Sequence, residues 1–221
     1  MNLLFVSCLY TEAIERGAKR NGYGIQTAPN TYQWAVVQGL QENNADYEVV
    51  SFPAFGCYPM HFYRKDVPGD SITYDGSEIG RSISYSTLPV VKGCSIRRNL
   101  RNYIKDWIKR KDLNSNDSFA VLIYQPESCF VDVVIPFKKK YPNMVIATIV
   151  TDMVDDFSNF ASNRSFLKRI QLGMETRKVK RNYQHIDRYI LLSKYMMDRI
   201  PEAVGRNIVV EGIYNGTVTD E

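Results

Sequence analysis

The sequence has little of what several functional classes require. Its four cysteines, Cys8, Cys57, Cys94 and Cys129, are scattered. None stands in a C-x-x-C pair or near a histidine at zinc-ligand spacing, so neither a structural metal nor a disulfide framework is expected, and the thiols read as reduced. Only two histidines are present, His61 and His185, each without a partner in sequence, and both are expected to be structural. Apolar runs stop well short of the roughly 18 to 20 residues of a spanning helix. The opening Met1-Asn2-Leu3-Leu4-Phe5-Val6-Ser7 has neither the length nor the basic flank of a signal peptide. A cytoplasmic location is the expectation. Zinc knuckles, RNP aromatics and long basic tracts are missing as well, which argues against a nucleic-acid partner.

What is present is an ordinary globular composition. The 221 residues are 44% hydrophobic and 24% charged, with a net charge of +4, enough apolar material for one core. Segment 3–8 is apolar without helical period, as in a strand buried on both faces. A polar, glycine-bearing loop over 11–30 should follow, then a helix over 33–43 with Trp34, Val37 and Leu40 on one face, and a strand over 47–52. Residues 53–93, with Pro53, Pro59 and Pro68, read as an irregular excursion containing short strands such as 82–86. Periodicity returns in Ile96, Leu100, Tyr103, Ile104, Trp107 and Ile108. Strands are expected over 119–124, 144–150, 188–192 and 207–211, separated by helices over 131–141, 166–183 and 194–199. This alternation, with no hairpins read in it, predicts an α/β fold with a doubly wound, mostly parallel sheet.

In such a sheet, ligands sit beyond the carboxyl ends of the strands, which narrows the search to a few loops. Gly22-Tyr23-Gly24 precedes a helix whose free N–H groups can face an anion, although glycines that simply permit a turn are an equal reading. A dinucleotide fingerprint is incomplete, because Thr27 stands where a third glycine belongs and no acid ends the second strand. No Walker motif occurs, and no cofactor is expected. Thr151-Asp152, followed by Asp155 and Asp156, places carboxylates just past a buried strand, where they can orient a hydroxyl or take its proton. Helix capping is the plainer role for the later two. Glu127, in Gln125-Pro126-Glu127-Ser128, occupies the equivalent position after the preceding strand. Two helices are basic, one through Arg97, Arg98, Arg101, Lys105, Lys109, Arg110 and Lys111, the other through Lys168, Arg169, Arg177, Lys178, Lys180 and Arg181. Such faces are solvated in most proteins, and peripheral contact with anionic lipid is the functional alternative.

Several of these segments, in order, resemble a known family: Leu3-Leu4-Phe5-Val6-Ser7 with its glycine loop, Trp34-Ala35-Val36-Val37-Gln38-Gly39-Leu40, Thr151-Asp152, Tyr189-Ile190-Leu191-Leu192-Ser193-Lys194-Tyr195-Met196, and Ile208-Val209-Val210-Glu211-Gly212-Ile213-Tyr214-Asn215. Together they are similar to the amino-terminal domain of retaining GT-B glycosyltransferases, often called group 1 or family 4. The resemblance implies transfer of a sugar from a nucleotide-sugar to an acceptor hydroxyl, a glycan or lipid-linked glycan, during assembly of a cell-surface polysaccharide. It implies that residues 1–215 hold the acceptor and that Gly22 and Gly24 approach the donor's diphosphate; with Thr151 these are the substrate- or phosphate-binding candidates, while Asp152 and Glu127, from their places just past strand ends, are the catalytic candidates. It also implies that 216–221 begin a linker to a donor-binding domain that this sequence does not include. Two departures stand out: where many members carry a histidine or an acid this chain has Thr151 and Asp152 rather than histidine, and no glutamate pair has the E-x7-E spacing of the donor domain. A non-catalytic sugar- or nucleotide-binding module with the same sheet is the alternative. A nucleotide-sugar epimerase or dehydrogenase is disfavoured by the incomplete dinucleotide fingerprint.

Overall fold

The computed structural model describes residues 1–153 and 166–210. Asp155, Asp156 and the tail 216–221 lie outside them. Strand β1 (Asn2–Ser7) is the centre of an eight-stranded sheet. It pairs in parallel with β2 (Asp46–Ser51) on one side and with β7 (Phe119–Tyr124) on the other, Val6 standing opposite both Val50 and Ile123. Beyond β7 lie β8 (Val145–Val150), β9 (Arg188–Leu191) and β10 (Asn207–Val209), all parallel. The near-continuous apolar character of 3–6 and 119–124 follows from this placement. Strands covered on both faces leave no side for polar residues, and Leu4, Phe5, Val6, Val121 and Ile123 are fully buried.

Helix α2 (Thr27–Glu42) connects β1 to β2, whereas α4 (Ser128–Lys140) connects β7 to β8 in the opposite direction along the sheet. Right-handed crossovers running in opposite directions put their helices on opposite faces, so the sheet is doubly wound as expected. Helices α3 (Val91–Arg110), α4 and α5 (Phe166–Tyr183) pack in series on one face. Their anchor is the stripe read from the sequence. Ile96, Leu100, Ile104, Trp107 and Ile108 are all buried, and removing one such aliphatic side chain costs about 2 to 5 kcal/mol.

Two expectations are corrected. The loop over 11–30 contains a helix, α1 (Glu12–Arg20), capped by Thr11, whose hydroxyl accepts from the Ile14 amide at 3.4 Å. Its apolar stripe is only Ile14 and Ala18, too narrow to register as a period. Helix α2 therefore starts at Thr27, not near residue 33, with Pro29 in its first turn, where a missing N–H costs nothing. Second, the 53–93 excursion is structured, and it supplies a hairpin the alternation did not contain. Strand β5 (Ser77–Ser82) extends the sheet parallel to β2, and β4 (Asp70–Tyr74) folds back on it antiparallel across Asp75-Gly76, both at positive φ (47° and 77°) as a tight hairpin turn requires. A separate ribbon pairs β3 (Asp66–Val67) with β6 (Tyr85–Ser86). The helix expected over 194–199 is present with those bounds, wound as a 3-10 helix. Gly80 lets β5 close on β2, since a Cβ there would lie 1.9 Å from the Val49 carbonyl oxygen.

Among the described residues no helix is long and apolar enough to cross a membrane. Much of the positive charge on α3 is already engaged. Arg97 lies 3.9 Å from Asp132, Lys111 pairs with Asp46 at 2.8 Å, and Arg110 pairs with Glu48. Arg98 and Arg101 stay exposed.

Candidate functional site

Because α2 leads away from β1 on one side and α4 away from β7 on the other, the loops after these two neighbouring strands diverge and leave a gap. A crevice of about 340 Å³ occupies that gap. Its two walls are built differently.

The wall after β1 is a set of satisfied amides. Gln33, 1% exposed, accepts the Cys8 backbone N–H through Oε1 at 2.7 Å and donates from Nε2 to the Pro29 carbonyl at 3.0 Å. One turn earlier, Asn30 Oδ1 accepts the Tyr10 N–H at 3.0 Å. The Tyr10 hydroxyl donates to the Ala54 carbonyl at 2.7 Å, and Ser51 Oγ donates to the Leu9 carbonyl at 2.8 Å. These bonds satisfy backbone groups that leave the sheet ladder where β1 ends, groups whose burial without partners is costly. Burial holds the Cys8 thiol well above its ordinary pKa, so it stays protonated and unreactive.

The wall after β7 and β8 carries carboxylates. Gln125 turns the chain at φ 61°, a left-handed conformation that non-glycine residues rarely adopt. Its backbone N–H donates to the Ile149 carbonyl at 2.9 Å, and its side-chain amide donates to Thr151 Oγ1 and, at 3.3 Å, to Asp152 Oδ2. Gln125 thus ties the two strand ends together and aims Asp152 at the crevice. Tyr124, 5% exposed, brings a hydroxyl to the same wall, 3.4 Å from Thr151 Oγ1. Burial above all pushes its pKa up to about 12, which keeps it a proton donor at neutral pH.

Glu127 precedes α4 in extended conformation, yet its side chain does not cap the helix. Glu175 of α5 does so instead, accepting the Ser128 N–H at 3.2 Å. Among the described residues, the Glu127 carboxylate accepts only a thiol, from Cys129 Sγ at 3.4 Å. Glu127 presents surface to solvent, but protein crowds its carboxylate from several sides, and this desolvation raises its proton affinity. Cys129 and Lys92 oppose the rise, and the charge of Glu175 adds to it. Its exposure to solvent keeps the effect small.

The crevice therefore gathers Asp152 and Glu127 at one place, with Thr151 hydrogen-bonded beside them. Gly22 and Gly24 do not line it. Gly22, at φ 75°, terminates α1: its N–H bonds the Lys19 carbonyl, and Tyr23 N–H reaches back to Ala18. Gly24 is exposed, and a Cβ there would meet nothing within 4 Å. His61 and His185 are exposed and outside the crevice. Sequence reading missed Gln33, Asn30, Gln125, Glu175 and Tyr10. Two amides at i and i+3 on the buried side of α2 were a usable signal, whereas Glu175 is hidden in a basic helix. Among the described residues no group of three or more His, Cys, Asp or Glu side chains is placed to hold a metal. No protein-family model matches this sequence, and no curated protein matches it, so the site is read from its own geometry.

Proposed function

We propose that this chain is the acceptor-side domain of a sugar transferase that moves a glycosyl group from a nucleotide-sugar to an acceptor hydroxyl. The observation that carries the reading is the convergence of Glu127 and Asp152 on one crevice at the switch point, with Thr151 and Tyr124 beside them. A hydroxyl entering this space meets two carboxylates able to accept its hydrogen bond, and draws on one of them for proton removal as the new bond forms. The raised proton affinity of Glu127 makes it a stronger base than an ordinary carboxylate.

Charge favours a division of labour. No Lys, Arg or His is among the described residues lining the crevice, so the cationic groups that offset the charge of a departing nucleotide diphosphate would come from a second, donor-binding unit. The order of segments that resembles GT-B amino-terminal domains favours the same reading, and that resemblance is what suggests cell-surface polysaccharide assembly. Donor, acceptor and, through the exposed Arg98 and Arg101, an anionic membrane surface are the partners this reading assigns.

A matrix of nucleotide-sugars and hydroxylated acceptors, incubated with the whole gene product and read by mass spectrometry, tests the proposal. Sugar addition that Asp152→Asn and Glu127→Gln diminish is the expected result. Acceptor binding with no transfer anywhere in the matrix would leave the non-catalytic binding module as the better reading.

A further inference from the structure

We infer that the crevice selects its acceptor by charge, holding a hydroxylated ligand that bears an amino group most tightly, a neutral one less so, and one bearing a carboxylate or phosphate least. The inference rests on the reading of this crevice as an acceptor site and adds the class of acceptor to it.

Three features lead to it. The ionisable acids lining the crevice are Asp152, Glu127 and Glu175, arriving from three different segments, and no described cation stands among them. Their hydrogen bonding is uneven. Asp152 receives the Gln125 amide at 3.3 Å and Glu175 receives the Ser128 N–H at 3.2 Å, whereas Glu127 receives, among the described residues, only the Cys129 thiol at 3.4 Å. A carboxylate with acceptor capacity to spare, facing a cavity large enough for a monosaccharide, is completed by a ligand N–H or O–H. Finally, the N-terminus of α4, which would draw an anion to Glu127, is already occupied by Glu175, and the partial positive charge of the uncapped α2 N-terminus at Gln26 is outnumbered by the three carboxylates.

The nearest lysine does not reverse this balance. Lys92 lies in an adjoining hollow that shares Cys8, Gln26, Ala54 and Glu127 with the crevice, and its Nζ donates to the Phe55 carbonyl at 2.5 Å. It moderates Glu127 from behind and does not line the crevice itself. An incoming carboxylate or phosphate would thus be desolvated against like charge, which is the repulsive element that specificity needs. An ammonium would meet Glu127 and Glu175 together, while the walls of Tyr10, Tyr124 and Val179 take the apolar face of a ring.

The test is a titration of this chain with glucosamine, glucose and glucuronic acid, three ligands that share one ring and differ in charge, followed by saturation-transfer NMR near neutral pH. Expected is an affinity order of glucosamine, glucose, glucuronic acid, with the extremes separated by on the order of tenfold or more, a spread that narrows as salt is added. Glu127→Gln and Glu175→Gln, both isosteric and the second retaining an acceptor for the Ser128 N–H, should each compress the spread. A flat or reversed order, or an order unchanged in both variants, overturns the charge selection while leaving sugar binding intact. If none of the three sugars binds, the acceptor-site reading falls and this inference with it. The wild-type order is decisive even if a variant fails to fold.

Discussion

The two walls of the crevice are made of similar polar material put to opposite uses. On the β1 side, Gln33, Asn30, Tyr10 and Ser51 spend hydrogen bonds on backbone groups. On the β7 and β8 side, Glu127 and Asp152 keep acceptor capacity in hand, and the strain of Gln125 at φ 61° is retained to aim them. The first wall holds the cavity open, and the second supplies its chemistry. A polar residue at a strand end is therefore informative through what it leaves unsatisfied, not through its polarity.

The largest expected effect separates the walls directly. Asp152→Asn should lower transfer turnover on the order of 10²-fold, the typical scale for a base or positioning group, with the thermal midpoint almost unmoved. Steady-state kinetics alongside thermal melts would show it. A variant that melts early and turns over normally would place Asp152 on the structural side instead.

Gln33→Ala should do the reverse. Deleting the side chain strands the Cys8 N–H in a buried site, at a cost of about 1 to 3 kcal/mol measurable by urea unfolding, while the intrinsic affinity of the folded fraction for ligand changes little. If Gln33→Ala abolished binding without loss of stability, the amide wall would be a recognition surface.

Glu127→Gln sharpens the contrast through pH. The Glu127 carboxyl holds its proton more tightly in the fold than in the unfolded chain, where it titrates near its ordinary 4.5. Between that value and the folded one, the native state binds more protons, so its contribution favours the fold at low pH and is lost as pH rises through the folded pKa. The glutamine variant escapes this loss. It should melt slightly above wild type at neutral pH, with the advantage disappearing below pH 4.5, and the gain is small because Glu127 is partly solvated. A variant that is less stable at neutral pH would mean that the ionised carboxylate stabilises the fold.

The smallest effect is expected at Gly24→Ala. Gly24 has no positive φ and no neighbour within 4 Å of an added Cβ, so stability should stay within about 0.5 kcal/mol and ligand affinity should not change. A drop in nucleotide-sugar affinity would restore the phosphate-loop reading of Gly22-Tyr23-Gly24.

How far the sequence could be read differed from element to element for physical reasons. The strands 2–7 and 119–124 were legible because burial on both faces writes an unbroken apolar run, and α3 because four turns of buried residues repeat at helical spacing. Helix α1 was not, since two buried side chains make no period. The 53–93 segment looked irregular because its strands are short and its edge strand β4 carries mixed residues, although Asp75-Gly76 marks the hairpin once the turn type is known. Asp152 and Glu127 could be singled out from their places just beyond strand ends. Gln33 and Glu175 could not, because their importance lies in partners 25 and 47 residues away.

The sequence by itself determined the alternation of strands and helices, the parallel sheet that follows from right-handed crossovers, and the strand ends where ligands gather, all consequences of periodicities that a few neighbouring residues encode. The tertiary structure alone decided that the chain reverses its winding between β1 and β7, that the excursion completes the sheet, and that the glycine turn lies away from the crevice. It alone decided, too, which polar groups are paired and which are left open. Hydrogen-bond satisfaction and local charge depend on distances between residues remote in the chain, and those distances exist only once the sheet has formed.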